Sequence, residues 1–224
     1  MFYSSLILYA PLLSRGLVIT IGVWALSALI STTIGIIFGV VSKLPTMIGQ
    51  ICAPPILCFV FLWRAVPLYV QLLIAYFVLP DLLGINLSPI AASIISLSLC
   101  SSAYVTTIVR SGISSIPNGQ WDAAACAGLN NIQTMRYIIF PQAIRVIAPI
   151  MVNEYESLIK STALLSVLGV PELTKIGKNI IAHYLNPIPV WGIIVLIYLL
   201  LSGCLMLLSR MLDGKYSQKP ADNI

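Results

Sequence analysis

Charge is what this chain has least of. Asp, Glu, Lys and Arg make up 8% of its 224 residues, against 59% hydrophobic ones. A water-soluble domain carries about 25% charged residues, so the composition excludes a domain that meets water on every side. Histidine occurs once, at His183, and Cys52, Cys58, Cys100, Cys126 and Cys204 include no pair at metal-ligand spacing. A zinc site or a disulfide framework is therefore not expected, and each cysteine reads as a small apolar residue. The net charge of +5 comes from basic residues scattered near the ends of apolar runs. That is topological charge and not a nucleic-acid surface. No GxxxxGK[ST] phosphate loop occurs, since Gly177-Lys178 is followed by Asn179 and lacks the earlier glycine. The chain is expected to hold no cofactor of its own. A lone histidine in a polar segment also gives no nucleophile–base pair, which argues against an intramembrane enzyme.

What the chain has is long apolar stretches. Leu17–Ser42 contains no charged residue and is closed by Lys43 and Pro45. A helix needs about 20 residues to cross a bilayer, whereas a barrel strand needs about ten of alternating polarity. The expected class is all-α integral membrane. Gly35 and Gly39 give a GxxxG spacing that permits close helix contact. A second span, Ile51–Leu79, carries Arg64 and is interrupted by Pro54-Pro55 and Pro67. A short loop around Pro80, Asp81 and Gly84 leads to a third, Ile85–Val109, ended by Arg110. The fourth, Ala143–Leu168, contains Arg145, Glu154, Glu156 and Lys160; a polar, loop-like stretch from Val170 to Pro189 precedes the last span, Pro189–Ser209. Met1–Ser14 is apolar but lacks a basic start and a cleavage site, so the first span is expected to double as the insertion signal.

Five spans put the two termini on opposite sides. Lys43, Arg110, Arg136, Arg210, Lys215 and Lys219 fall on one side, and only Arg15, Lys175 and Lys178 on the other. The positive-inside rule places the first group in the cytoplasm, with the N-terminus outside and the C-terminus inside. The polar segment Gly112–Gln142 then faces the cytoplasm. In it, Asn118 can cap a short helix through Asp122 and the alanines, ended by Gly128. Asn130 or Asn131 can start another, which Phe140-Pro141 is expected to break.

That segment carries a resemblance. Asp122-Ala123-Ala124, Gly128 six residues after the acid, and Phe140-Pro141 resemble the EAA loop of ABC importer permeases. Four further stretches resemble the polar amino-acid branch of that family, the importers of histidine, arginine and glutamine. Trp63-Arg64-Ala65-Val66-Pro67-Leu68-Tyr69-Val70-Gln71 is similar to its RGTPLLVQ motif. Ala103-Tyr104 with Arg110-Ser111-Gly112-Ile113 resembles AY…RGGI, and Ser115–Gln120 resembles SIPKGQ. Asn153, Lys160–Leu164 and Glu172-Leu173 are similar to N…KDTSL…EL. The chain departs from the family at Asp122 and Thr107, where Glu is usual, at Ala127, where a bulky residue is usual, and at Ser161, where Asp is usual.

The resemblance implies the type I ABC importer permease fold over residues 16–210, with coupling helices in an EAA loop at about 112–142. It leaves an N-terminal segment 1–15 and a cytoplasmic tail 211–224. It implies that Asp122, Ala123, Ala124, Gly128 and Pro141 couple to ABC ATPase subunits, which bind ATP and Mg in place of this chain. It also implies a second permease subunit, identical or related, an extracytoplasmic amino-acid-binding protein, and residence in the bacterial inner membrane. The residues agree: small alanines let a helix lie close against a partner, and Asp122 in the first turn suits the helix dipole.

Ionisable residues inside a span cost on the order of 3 kcal/mol each and usually face a cavity or one another. On a helix, Asn153, Glu156 and Lys160 share one face, with Glu154 about 160° from Glu156. Glu156 and Lys160 stand at i,i+4 in the favourable order. Two readings stay open: a self-neutralising ion pair, or a substrate-binding patch of Asn153, Glu154, Glu156 and Lys160. By resemblance, an acid directly after Asn153 favours cationic amino acids. Arg64, beside Pro67, is expected to be structural or gating, perched on carbonyls that the proline frees or snorkelling to the outer interface; Arg110 joins it in that class. The expected function is the permease subunit of an ATP-driven importer of polar amino acids working by alternating access. The alternative is an ion-gradient-driven secondary transporter, for which an internal repeat is expected and none is seen.

Overall fold

The computed structural model describes residues 2–216, and among these all regular structure is helical. Five helices are long and apolar enough to cross a membrane: Tyr9–Val41, Met47–Ala65, Pro89–Ser114, Asn131–Leu168 and Pro187–Leu212. The number agrees with the sequence, and several boundaries move.

Helix α1 (Phe2–Val41) absorbs most of the segment set apart as 1–15. Its Ser27, Ser31, Gly35 and Gly39 recur every four residues and form a stripe of small side chains against α5 (Pro89–Ser114). A Cβ at Gly35 would collide with Val105, and one at Gly39 with Val109. In lipid, where apolar burial gives helices little reason to associate, such close backbone approach is what holds them. Helix α5 starts on Ser88, whose hydroxyl accepts the Ala91 N–H at 3.2 Å, with Pro89 in the first turn, where a missing N–H costs nothing. It runs through the middle of the subunit, with Ala92, Leu97, Val105 and Val109 fully buried.

Helix α2 (Met47–Ala65) tolerates Pro54 and Pro55 without interruption, and the chain breaks only at Val66-Pro67, both extended. The second stretch is thus one crossing helix followed by a separate apolar helix, Leu68–Leu83. That helix comprises α3 (Leu68–Leu73), a π turn (Ile74–Val78) and α4 (Leu79–Leu83).

A second π turn, Met135–Ile139, joins α7 (Asn131–Thr134) to α8 (Phe140–Ser161). Each π turn ends two residues before a proline, Pro80 or Pro141. A proline donates no N–H and clashes with the carbonyl four residues back; widening the preceding turn relieves both faults. Hence Phe140-Pro141 bends the fourth span's helix and does not end it.

The stretch expected to be a loop, Val170–Pro189, contains α9 (Leu173–Tyr184). Its Leu173, Gly177 and Ile180 are buried against α1 and against α10 (Pro187–Tyr216), while Lys175, Lys178 and His183 lend it the polar composition. Glu172 caps it, its carboxylate accepting the N–H groups of Thr174 at 2.8 Å and Lys175 at 2.6 Å. Burial pushes this carboxyl above the ordinary carboxylate range, while those two N–H groups and nearby Lys178 pull it back. Of the tail, α10 runs to Tyr216, and Lys219 lies outside the described residues.

Candidate functional site

Two places collect the residues singled out in the sequence. The first is the turn between α5 and α8. Helix α6 (Asn118–Cys126) is capped by Pro117, so Asn118 is its first helical residue and not its cap. The helix ends in a Schellman arrangement: the Leu129 N–H reaches back to the Ala124 carbonyl at 3.1 Å and the Gly128 N–H to Ala125 at 3.0 Å. Gly128 takes φ +77°, a left-handed conformation that a residue with a Cβ adopts only at a cost.

Next, Asn130 and Gln133 form a reciprocal capping box that starts α7. Asp122, Ala123, Gly128 and Pro141 are exposed, while Ala124 is buried beneath them. The turn is tied down by Asn131, which donates to the Pro45 carbonyl at 2.7 Å, and by Gln142, which reaches Gln120 at 3.1 Å. Arg110 donates to the Ser42 carbonyl at 3.5 Å, linking the end of α5 to the same α1–α2 loop. Small exposed side chains on a tethered helix make a flat, stiff surface.

The second place is a pocket of about 270 Å3 among α2, α5 and α8, which belong to the helices long and apolar enough to cross a membrane. Helix α8 contributes Glu154, Ser157 and Ser161, one face at spacings of three and four; α5 contributes Cys100 and Tyr104, and the α2–α3 break contributes Arg64, Pro67 and Leu68. The Ser101 hydroxyl donates to Glu154 Oε1 at 2.7 Å. The Arg64 guanidinium donates to Thr107 at 3.3 Å and lies over the Tyr104 ring at 5.0 Å, and so does not take up the carbonyls freed by Pro67. The only ion pair among the described residues is Glu156–Lys160, at 2.5 Å. Glu154 and Arg64 therefore line one pocket with no ion-pair partner in the described chain.

The polar residues of α8 divide between two faces. Glu154 lines the pocket; Asn153, Glu156 and Lys160 do not. Asn153 accepts from the Ser209 hydroxyl of α10 at 3.3 Å, and the same hydroxyl approaches the Pro149 carbonyl at 3.2 Å. Ser101, Ser157 and Cys100 carried no signal in the sequence, because nothing local marks a pocket-facing serine on an apolar helix.

A model of the family described as "Binding-protein-dependent transport system inner membrane component" matches residues 31–218. The chain is 34% identical over 202 residues to the arginine transport system permease protein ArtQ of Bacillus subtilis (strain 168), covering 89% of this chain and 91% of that one. It is 31% identical over 206 residues to the glutamine transport system permease protein GlnP of Escherichia coli (strain K12), covering 92% and 93%. It is 34% identical over 173 residues to the histidine/lysine/arginine/ornithine transport system permease protein HisM of Salmonella typhimurium (strain LT2), covering 73% and 74%. Among solved structures, a crystal structure of an amino acid ABC transporter with histidines superposes with a TM-score of 0.84 at 30% identity, covering 94% of this chain and 97% of that one. The inward-facing MetNI methionine ABC transporter superposes at 0.79 and 19% identity, covering 92% and 97%, a likeness of fold.

Proposed function

This chain belongs to the inner membrane components of binding-protein-dependent transport systems, and on that premise we propose that Glu154 is where it recognises a cationic amino acid. The chain is the permease subunit of an ATP-driven amino-acid importer, multi-pass in the inner membrane, with ATP hydrolysed by a separate subunit. That family excludes the ion-gradient carrier held as the alternative.

The observation that carries the proposal is a carboxylate in a pocket between apolar helices long enough to cross a membrane, held by one neutral hydroxyl and facing no basic residue at ion-pair distance. A buried charge needs a counter-ion. An arginine, lysine or histidine side chain supplies one, and leaves with it when the pocket opens inward. Arg64, held by Thr107 and Tyr104 and by no carboxylate, offers the matching group for the substrate's own carboxylate. The relatives named for arginine and for histidine, lysine and ornithine are in keeping with this choice.

The ATPase subunits act on the exposed Asp122–Gly128 surface, with Pro141 behind it, and the basic residues near it put that surface in the cytoplasm and the N-terminus outside. A second permease subunit covers the outward ion pair Glu156–Lys160, which would otherwise meet lipid. An extracytoplasmic binding protein delivers the substrate. ATP binding closes the motor, the tethered turn moves as a unit, and the pocket alternates between the two sides.

Replacing Glu154 with Gln tests the charge. A hydrogen bond to a charged group contributes about 1.5–3 kcal/mol, so the KM for arginine uptake in proteoliposomes should rise about 10- to 100-fold. Glutamine uptake should stay within about twofold of the parent. Equal losses for both would defeat the proposal.

A further inference from the structure

Pro67 deprives one carbonyl of its helical partner. In an unbroken helix the N–H of residue 67 would bond the carbonyl of Trp63, four residues back, and a proline has no N–H to give. The structure supplies a substitute from another helix. Gln71 of α3 donates from Nε2 to the Trp63 carbonyl at 2.9 Å and, with the same nitrogen, to the Val66 carbonyl at 2.8 Å. Both N–H groups of the amide are used. The Cys100 thiol also points at the Trp63 carbonyl, at 3.8 Å. Gln71 is 6% exposed, so these bonds form in a buried place.

The clamp sits behind a wall of the pocket. Val66, Pro67, Leu68 and Cys100 line the cavity that holds Glu154. Gln71 lines a second, apolar cavity of about 360 Å3 on the other side of the same turn, with Trp63 and Val66.

We propose that Gln71 is a positioning residue: its carboxamide clamps the Val66-Pro67 turn and so fixes the wall against which the substrate lies. This rests on the Glu154 pocket being the substrate site. Without the amide, the Val66 carbonyl has no partner and the Trp63 carbonyl keeps only the long, weak thiol contact of Cys100, a state that costs free energy and is relieved by moving the turn. Gln71 lines the other cavity and not the pocket, so its loss weakens every substrate by one factor, whatever its charge.

The test uses the complete transporter in proteoliposomes, with Cys52, Cys58, Cys126 and Cys204 replaced by Ser so that Cys100 alone reports on the pocket. Gln71→Leu keeps the bulk and removes the donors; Gln71→Met keeps the length, donates nothing, and takes its place should Gln71→Leu fail to assemble. Either variant should label at Cys100 with a methanethiosulfonate several times faster than the parent, and raise the KM for arginine and for glutamine alike, by about tenfold.

Unchanged labelling in Gln71→Leu or Gln71→Met overturns the proposal, as does a KM change confined to arginine. Failure of the pocket reading looks different: arginine then fails to protect Cys100 in the otherwise unaltered parent.

Discussion

Around Asn118–Thr134 the hydrogen bonds that shape the backbone join residues three to five positions apart. The pocket is instead made by bonds that reach 53 residues from Ser101 to Glu154 and 43 from Arg64 to Thr107. The turn is polar, exposed and shaped by local bonds; the pocket is sparse in charge, half-buried and assembled from four helices. The contrast follows the two tasks. A surface that transmits force has to be stiff on its own account, while a site that opens and closes is best built from parts that can move relative to one another.

The largest effect expected from breaking this contrast is at Gly128. A Cβ there meets nothing within the chain, yet its backbone is left-handed and it lies on the exposed surface proposed for the ATPase subunits. Gly128→Val should leave the subunit folded and inserted but reduce uptake and substrate-stimulated ATP hydrolysis by roughly 100-fold, as loss of an interface hot spot does. Arginine should still protect Cys100 in that variant. Loss of protection would mean that the two regions are not separable.

Glu154→Gln comes next and acts in the opposite manner, altering selectivity for charge while leaving the motor's basal ATP hydrolysis intact. A change in basal hydrolysis would couple pocket to motor more tightly than the geometry allows.

Smaller effects sharpen the boundary of the pocket. Ser209→Ala removes a bond to Asn153 and Pro149 that, inside a membrane protein, contributes about 0.6 kcal/mol. It should lower the thermal midpoint of the purified complex by a few degrees at most (about 2–4 °C per kcal/mol for a chain this size). Selectivity should not change, and a change would draw Asn153 into the site.

The smallest is a pH effect at Glu172. Its carboxyl is raised in the folded protein, so its contribution to stability is fully present below the ordinary glutamate value and is lost as pH rises through the raised one. Glu172→Gln should flatten that part of the dependence of thermal stability on pH. An unaltered profile would show that the two backbone N–H groups cancel the effect of burial.

Legibility divides along the same line. Gly128 as a helix stop, Asn130 as a cap and Ala123-Ala124 as a small surface could be read from neighbouring residues, because caps and turns are decided within a few positions. Glu154 could be named as an acid inside a span, but not which face of α8 looked into a cavity. Glu156, two residues on, pairs with Lys160 instead. Helix α9 was concealed by its lysines, although Leu173, Gly177 and Ile180 carry the spacing of a buried face. Pro141 looked like a stop because the remedy, a widened turn before it, leaves no mark in composition. Gln71 lay in plain sight four residues after Pro67, a polar side chain in an apolar run, yet its two acceptors became visible only once the chain had folded back on itself.

By itself, the order of residues determined that this is a helical membrane protein with five crossings, a capped polar turn and an acid in the fourth crossing. Those properties follow from length, hydropathy and short-range backbone chemistry, which act along the chain. Only the tertiary structure decided that Glu154 shares a pocket with Arg64, that Asn153 turns to Ser209, and that Gln71 repairs the gap left by a proline. Each of these is a meeting of side chains across helices, and in lipid such meetings depend on which small residues let backbones come close.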